Sequence, residues 1–420
     1  MANQAASGEA LPAPGGAQRL ALKLNLRRAE RRRKLRAYAL IAPLFLFLGA
    51  FFLVPLGSVL YFSVANPEVV ELLPRVSAAL RGWDGQALPD EAAFAALAED
   101  ARVGYDDKTL PKVALRLNYE VGGFRSLLMR TGRGAERYRA PYKQALLERD
   151  ERWGELIYWR TLKGNTSAFT LHYLLQAVDL DLQWDNSIRL APPDQRLYIE
   201  NLLRTLWIAL VVTLACILLG YPVAFLIATA EPRWAQLLIL LVLLPFWTSL
   251  LVRTAAWVIV LQKGGIVNHT LMAVGLIDEP LALIFNRTGV YIAMVHILLP
   301  FMILPLYSVM KGIPPEHTRA AASLGARPWA AFLTVYLPQT MPGLAAGCLL
   351  VYVIALGFYV TPALIGGGSD QMLAYLIAEF ATNTANWGLA GALAVLLLAC
   401  IAVLYPIYQR FAGAGGMRLG

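Results

Sequence analysis

Charge is scarce in this chain of 420 residues. Only 15% of the residues are charged and 58% are hydrophobic, whereas an ordinary soluble domain carries about 25% charged residues. This shortage of charge excludes a purely soluble enzyme. It also excludes disorder for most of the chain, because so much apolar surface would not stay in water.

Cysteine and histidine are few. The three cysteines, Cys216, Cys348 and Cys400, all lie in apolar runs, so neither a disulfide framework nor a CxxC metal site can be built from them. The four histidines are scattered along the chain and do not suggest one metal or catalytic site. We therefore expect no metal site, no catalytic residue and no cofactor in this chain.

Phosphate-binding motifs are missing as well. No lysine follows a glycine, so the chain has no Gly-x-x-x-x-Gly-Lys-Ser/Thr loop for ATP. A membrane-bound enzyme would need a nucleophile with a base, or a metal cluster, and the sequence shows neither. The chain is not expected to be an enzyme, and any ATP on which it depends must be bound by another protein.

The positive charge is concentrated near the N-terminus. Nine Lys or Arg residues lie between Arg19 and Arg36, whereas residues 66–197 contain 18 basic and 19 acidic residues. Nucleic-acid binding is disfavoured, because the basic residues directly precede an apolar run and no nucleic-acid-binding fold accompanies them. Residues 1–37 are predicted to form a cytoplasmic tail that fixes the orientation of the chain or contacts anionic lipid headgroups.

Six apolar stretches are each long enough to cross roughly 30 Å of hydrocarbon as a helix. They cover residues 38–64, 202–230, 234–261, 290–310, 340–365 and 389–411. The first is about twice as long as the apolar part of a signal peptide, so cleavage is disfavoured. Lys and Arg residues near the span ends place both termini in the cytoplasm, including a C-terminal tail at residues 412–420.

The stretch between the first two spans, residues 65–197, is predicted to be a soluble, largely helical extracytoplasmic domain. It combines mixed charge with helix-forming residues. No motif assigns it a role, and its single histidine, His172, stands alone. Its tryptophans are more typical of a core or a membrane interface than of a ligand cage.

The loop between the fourth and fifth spans, residues 311–338, reads KGIPPEHTRAAASLGARPWAAFLTVYLP. Residues 316–324 are predicted to form a short helix, with Gly325 suited to end it and Pro328 placed just beyond. The alanines would let another protein approach closely, and Leu324 and Trp329 would supply apolar anchors. The alternative interpretation is a plain membrane-surface helix in an alanine-rich protein.

These residues resemble the cytoplasmic loop of the permease subunit of binding-protein-dependent ABC importers, whose pattern is Glu-Ala-Ala, three residues, Gly, and Leu-Pro about a dozen residues later. Ala320, Ala321, Gly325 and the pair Leu337-Pro338 match this pattern. Arg319 stands where the pattern has Glu, so the contact of that carboxylate must be absent, reversed in sign or supplied by Glu316.

The resemblance covers residues 198–411 and is greatest to the spermidine/putrescine permease group. Four segments carry it: LGYPVAF (219–225), LLPFWTSLLVRT (243–254), HILLPFMILPLY (296–307) and GFYVTPALIGG (357–367). It implies an all-α polytopic membrane protein with six transmembrane helices of the ABC importer permease type. The helical insertion then follows helix 1, and a five-helix permease core occupies residues 198–411.

The resemblance also implies partners and a mechanism. In this family two homologous permeases pair in the bacterial inner membrane, and each loop helix fits a groove on one of two ATP-binding subunits, which hold ATP and Mg. An extracytoplasmic substrate-binding protein delivers the substrate, and the insertion is hypothesised to contact it. The residues expected to contact the ATPase subunit are Glu316, Arg319, Ala320, Ala321, Leu324, Gly325, Ala326 and Pro338.

Two proline-broken polar stretches are candidates for lining the pathway. The candidate residues are Trp247, Thr248 and Arg253 in the first stretch, Tyr359 and Thr361 in the second, and the carboxylate of Glu379.

The charge of Arg253 conflicts with a polyamine path, which should contain carboxylates and aromatic faces. Either Arg253 is paired, for example within the partner subunit, or the substrate is anionic or zwitterionic, such as an amino acid or an opine-like compound. A secondary transporter is the remaining alternative, disfavoured because the sequence shows neither a coupling-ion site nor an internal repeat.

Overall fold

The computed structural model describes residues 30–31, 33–34 and 37–414, with side chains as far as residue 406. Most of the two predicted tails, residues 1–37 and 412–420, lies outside these residues. In the described part, six helical stretches are long and apolar enough to cross a membrane, judged by length and composition. They are Ala37–Phe62, Pro193–Thr229, Leu250–Ala273, Arg287–Lys311, Pro328–Leu356 and Trp387–Pro406.

The chain divides into two compact units, residues 1–58 and 59–420. Helix α1 (Ala37–Phe62) supplies most of the described part of the first unit. None of its residues is buried within the chain, and large apolar side chains such as Leu40 and Phe45 are exposed. A helix that is apolar on all sides is the form expected in contact with lipid.

The insertion is built from short helices around a core of its own. The helices are α2 (Pro67–Leu72), α3 (Pro74–Leu80), α4 (Glu91–Asp106), α5 (Leu110–Asn118), α6 (Phe124–Gly134), α7 (Tyr142–Arg149), α8 (Leu156–Gly164) and α9 (His172–Gln176). Trp153, Trp159 and Phe94 are fully buried in this core, which agrees with the interpretation of these two tryptophans as core residues.

A two-stranded antiparallel hairpin, β1 (Leu180–Leu182) and β2 (Ile188–Leu190), follows the helices and was not expected from the sequence. Its turn contains Asn186 at a φ of 62°, a conformation that asparagine tolerates better than most residues. Each strand is only three residues long, too short for an alternating apolar pattern to be recognised in the sequence.

In the described residues, eleven α-helices follow the insertion. They are α10 (Tyr198–Thr229), α11 (Pro232–Leu243), α12 (Leu250–Leu261), α13 (Ile266–Ala273), α14 (Arg287–Lys311), α15 (Pro315–Ser323), α16 (Pro328–Ala331), α17 (Leu337–Leu356), α18 (Val360–Ile365), α19 (Leu373–Thr382) and α20 (Trp387–Ala414). Helices α10, α14 and α17 pack against one another around a common apolar core. Glycines allow α14 and α17 to approach closely, because a Cβ on Gly347 would lie 2.7 Å from Met302 Sδ.

The predicted span over residues 234–261 is not a single membrane helix, because it breaks in the stretch that the sequence describes as proline-broken, and the long apolar helical stretch here is Leu250–Ala273. Helix α11 ends at Leu243, a 3₁₀ turn covers Leu244–Trp247, and α12 begins at Leu250. Pro245 explains the break, because proline has no N–H for the helical hydrogen bond and its ring clashes with the preceding turn. The side chain of Ser249 then caps the new helix by accepting a hydrogen bond from Val252 N–H at 3.2 Å.

The predicted span over residues 340–365 is also interrupted. Helix α17 ends at Leu356, and α18 begins at Val360 after the irregular residues 357–359. Both interruptions fall in the stretches that the sequence singles out as candidate pathway, so irregular backbone occurs where polar residues are concentrated.

The insertion packs against the N-terminal end of α20 and the loop that precedes it. The ring of Tyr173, on α9, lies against Gly388 at the start of α20, where a Cβ would be only 2.3 Å from the ring. The hydroxyl of Tyr119 donates a hydrogen bond to the carbonyl of Thr384. The insertion is therefore held against the start of α20 by packing and against the loop before it by a polar contact.

Candidate functional site: coupling segment and membrane pathway

The two short helices α15 and α16, together with the turn between them, form an exposed unit that we call the coupling segment, residues 315–331. Pro315 occupies the first turn of α15, where its missing N–H is not needed, and Glu316 lies in the same turn. The predicted succession of helix, turn and helix is confirmed by the structure.

The C-terminus of α15 is a Schellman motif. Gly325 N–H donates to Ala322 C=O at 2.9 Å, and Ala326 N–H donates to Ala321 C=O at 3.0 Å. Gly325 has a φ of +87°, in the left-handed region that favours glycine. No atom of the chain lies within 4 Å of where a Cβ on Gly325 would be, so the backbone conformation, and not crowding within the chain, accounts for a glycine at this position.

The coupling segment leaves apolar and charged side chains uncovered. Leu324 is 89% exposed and Trp329 is 71% exposed. Glu316 and Arg319 are both exposed, and among the described residues no ion pair involves either of them. Glu316 therefore does not neutralise Arg319 across one helical turn, and both charges remain available to another protein.

Two contacts that sequence reasoning missed attach the coupling segment to the membrane helices. His317 Nδ1 lies 2.8 Å from Gln339 Oε1 near the start of α17, while Gln339 Nε2 donates to Val335 C=O at 2.7 Å. This second bond orients the amide, so we assign the proton of the shared hydrogen bond to His317 Nδ1. The spacing of 22 residues gives no sequence signal for such a pair.

Stacked aromatic rings form the second attachment. Trp329 stacks on Phe332 at 6.0 Å between ring centroids, and Phe332 stacks on Tyr336 at 5.8 Å. The last two rings lie in a π-helical turn, Phe332–Tyr336, a type of turn frequently found at functional sites. Phe225 of α10 meets both rings edge-on, so the rings connect the exposed Trp329 to α10 and α17. Pro338 lies in the first turn of α17 and is exposed.

The predicted pathway residues of the first stretch surround the break between α11 and α12. Trp247 is 74% exposed, and the hydroxyl of Thr248 donates to Pro245 C=O at 2.8 Å. Arg253 lies in the first turns of α12 and is half-buried.

The two predicted stretches meet through one hydrogen bond. Thr254 Oγ1 lies 3.1 Å from Thr361 Oγ1, and both threonines are fully buried. Thr254 already donates to Leu250 C=O at 2.9 Å, so the hydroxyl of Thr361 is the donor between them. Sequence reasoning named Thr361 but missed Thr254, which has no feature that distinguishes it from any other threonine in an apolar helix.

The remaining predicted pathway residues do not join this contact. Tyr359 is 47% exposed, and Glu379, at the end of α19, accepts a hydrogen bond from Asn383 Nδ2 at 2.6 Å. Among the described residues no hydrogen bond connects either of them with Trp247, Thr248 or Arg253.

The comparisons with known proteins concern the half of the chain that contains these elements. Residues 198–413 match the family described as "Binding-protein-dependent transport system inner membrane component". The chain belongs to this family. It is therefore a multi-pass component of the inner membrane and a transport permease.

Two named relatives and one solved structure show what this permease is similar to. The spermidine/putrescine transport system permease protein PotB of Salmonella typhimurium (strain SL1344) is 37% identical over 226 residues, which cover 54% of this chain and 78% of that protein. The inner membrane ABC transporter permease protein YdcU of Escherichia coli (strain K12) is 34% identical over 181 residues, which cover 40% of this chain and 57% of that protein. A chain of a bacterial alginate ABC transporter of known structure is 18% identical, with a TM-score of 0.41, over 51% of this chain and 78% of that chain.

The insertion of this permease lies outside the family match and contains a buried polar network. Arg116 donates from Nε to Asn66 Oδ1 at 3.0 Å, and from Nη2 to Asn165 Oδ1 and to Glu120 Oε1, each at 2.8 Å. Asn66 lies at the start of the insertion, so the network ties that start to α5 and to the end of α8. Burial is the largest single influence and opposes ionisation of Glu120, but the charge of Arg116, the influence of His172 and the hydrogen bonds from Asn165 and Arg116 together outweigh it and lower the pKa of this carboxyl.

His172 closes the network on the side of α9. Its Nε2 lies 3.9 Å from Glu120 Oε1, so this histidine does not stand alone as the sequence suggested. Burial lowers the pKa of His172, and the charge of Arg116 adds to this effect, against the opposing influence of Glu120 and Asp181. Burial therefore favours the neutral form of the ring. A cavity of about 340 Å³ adjoins His172 and Glu120 and extends to Asp181 and Trp184.

Proposed function

We propose that this permease is one of two membrane-spanning subunits of an ATP-driven importer, and that it forms half of the translocation pathway. Closure of separate ATP-hydrolysing subunits would drive its alternating access to the two sides of the membrane. The observation that carries this proposal is the coupling segment, which presents Leu324 and Trp329 on a unit shaped by the Gly325 turn. Exposed apolar anchors of this size are typical of interfaces with another protein.

The proposal includes the partners and the orientation. They are a homologous second permease, two ATP-binding subunits that hold ATP and Mg, an extracytoplasmic substrate-binding protein and the surrounding lipid. The coupling segment and both termini would face the cytoplasm and the insertion the opposite side. The cations Lys311, Arg319 and Arg327 near the coupling segment support this orientation.

We further propose a polyamine as the substrate. The support is the 37% identity to a protein named as a spermidine/putrescine permease over 78% of that protein's length. A second candidate is an anionic or zwitterionic substrate, favoured by Arg253 and by the start of α12 close to it, because a helix N-terminus carries partial positive charge. Competition of labelled spermidine uptake by unlabelled spermidine, but not by amino acids, would decide for the polyamine.

Affinity purification tests the coupling proposal. With a tag on this chain, extraction of native membranes should recover two ATP-binding subunits and a second permease, identified by mass spectrometry. Leu324→Glu should lose the ATP-binding subunits while retaining the second permease, because a charge would enter an apolar contact. Leu190→Glu is the matched control, since Leu190 is also exposed but lies on the insertion. Full recovery of the ATP-binding subunits with Leu324→Glu would contradict the proposal.

A further inference from the structure

Arg253 is a cation within an apolar helix whose charge nothing in the described part of the chain satisfies. Its Nε is enclosed and has no hydrogen-bond partner among the described residues, and no ion pair includes it. The residue as a whole is half-buried, so the described residues do not cover all of it. The candidate span that contains it, Leu250–Ala273, has a mean hydropathy of 1.5.

The neighbouring side chain that could accept a hydrogen bond from Arg253 is His296, and its acceptor nitrogen is already occupied. Trp257 lies one helical turn after Arg253 on the same face of α12, and its Nε1–H donates to His296 Nδ1 at 3.1 Å. Nδ1 of His296 is therefore occupied as an acceptor. The other ring nitrogen carries a hydrogen and can only donate. The acceptor for Arg253 must come from outside these side chains.

Helix α12 places Arg253 at the edge of its packed face. Thr254 and Leu261 are buried, whereas Leu251, Val252 and Ile259 are each about 60% exposed. In the most apolar 18-residue segment of this span, only 17% is buried among the described residues. The corresponding share for Arg287–Lys311 is 61%. Something other than the described residues therefore covers the outer face of α12.

Lipid, the substrate pathway and the second permease are the three surroundings available to Arg253. Lipid is disfavoured, because ionisable groups in spans pair with each other or with carbonyl groups and seldom face hydrocarbon. The pathway is disfavoured for a polyamine, because a guanidinium group would repel the cationic substrate. The second permease can supply an oxygen atom that accepts a hydrogen bond from Arg253, without exposing the charge to hydrocarbon and without repelling the substrate.

We propose that Arg253 is an interface residue whose guanidinium group donates hydrogen bonds to a carboxylate or carbonyl oxygen of the second membrane-spanning subunit. This inference rests on the proposed function, since it takes the second subunit and the polyamine from it. It explains how a transporter of polyamines keeps a cation in the membrane: the charge is used in assembly and is hidden from the substrate. It also gives the uncovered face of α12 a specific occupant.

The test is the recovery of the second permease with a tagged chain from detergent-solubilised native membranes. Arg253→Leu should weaken the pairing by about 30-fold or more in dissociation constant, the usual result of leaving one member of a buried charged pair alone. Arg253→Lys should restore part of the pairing, because it keeps the charge but loses the planar array of donors. Lys263→Leu is the matched control, since it removes an exposed cation just beyond the end of α12 and should leave the pairing unchanged.

Recovery of the second permease with Arg253→Leu at the level of the unmodified chain would overturn the inference. If the same variant also changed the KM for spermidine, Arg253 would face the pathway. If it changed neither quantity, Arg253 would face lipid. The amount of tagged chain in the membrane is measured for every variant, so loss of the chain itself is not counted as loss of pairing. Failure of the proposed function is seen separately, as absence of ATP-dependent spermidine uptake by the unmodified complex.

Discussion

Single residues determine whether the coupling segment keeps its shape, and Gly325 is the clearest case. Its left-handed backbone closes the Schellman motif that ends α15, so the direction of the chain between Leu324 and Trp329 depends on it. An L-residue with a Cβ pays about 1–2 kcal/mol for this conformation, whereas asparagine tolerates it better.

The first prediction compares two substitutions at this residue. Gly325→Leu should abolish substrate-stimulated ATP hydrolysis by the purified complex and weaken subunit association, because the turn opens or the side chain enters the interface. Gly325→Asn should retain a substantial part of that activity, because asparagine keeps the turn. Normal stimulation with Gly325→Leu would count against a coupling role for this turn.

The second prediction concerns pH and His172. Burial lowers the pKa of His172 in the folded insertion, so below its ordinary pKa of about 6.5 the unfolded form takes up a proton that the folded form refuses. The local free energy of opening of α9 should therefore fall as the pH drops from 7 to 5. Hydrogen exchange of its amides, corrected for intrinsic rates, measures this change.

The control for this experiment is His172→Gln, which should give a nearly flat profile between pH 7 and 5. The pKa of Glu120 is lowered in the folded state, so its contribution is lost only at lower pH, as the pH falls through that depressed pKa. A decline of equal slope in the His172→Gln variant would contradict the assignment to His172.

Among the structural elements, those that the sequence predicts best have local signals. The pair of prolines and the glycine around α15 predict its start and end, and the apolar runs predict the spans. The sequence predicts a disturbance at Pro245 but not its extent, because proline is tolerated in many membrane helices and the local sequence does not determine whether the helix kinks or ends. The His317–Gln339 and Thr254–Thr361 contacts join residues far apart in sequence, so no local pattern could have predicted them.

The third prediction concerns the element contact between α9 and α20. Gly388→Ala should lower the Tm of the purified chain by a few degrees, because the new methyl group would meet the Tyr173 ring. In a Tyr173→Ala background, Gly388→Ala should have no further effect, since the obstructing ring is gone. Equal effects of Gly388→Ala in both backgrounds would show that this packing does not seat the insertion.

For the whole molecule, the account requires the coupling segment and the insertion to lie on opposite sides of the membrane. The fourth prediction uses single cysteines in a chain whose own three cysteines are replaced by alanine. In intact spheroplasts, Asp107→Cys on the insertion should react with a membrane-impermeant maleimide, whereas Leu324→Cys should react only after the membrane is opened. Both positions are exposed within the chain. Labelling of Leu324→Cys from outside would reverse the proposed orientation.

Transport by the reconstituted complex shows whether this permease works as part of an ATP-driven importer. The complex purified through this chain is placed in liposomes with its extracytoplasmic binding protein outside, and uptake of labelled spermidine is followed with and without ATP enclosed. The account predicts uptake only when ATP is enclosed and the ATP-binding subunits are present. Uptake of spermidine by this chain alone, with no ATP on either side, would contradict it.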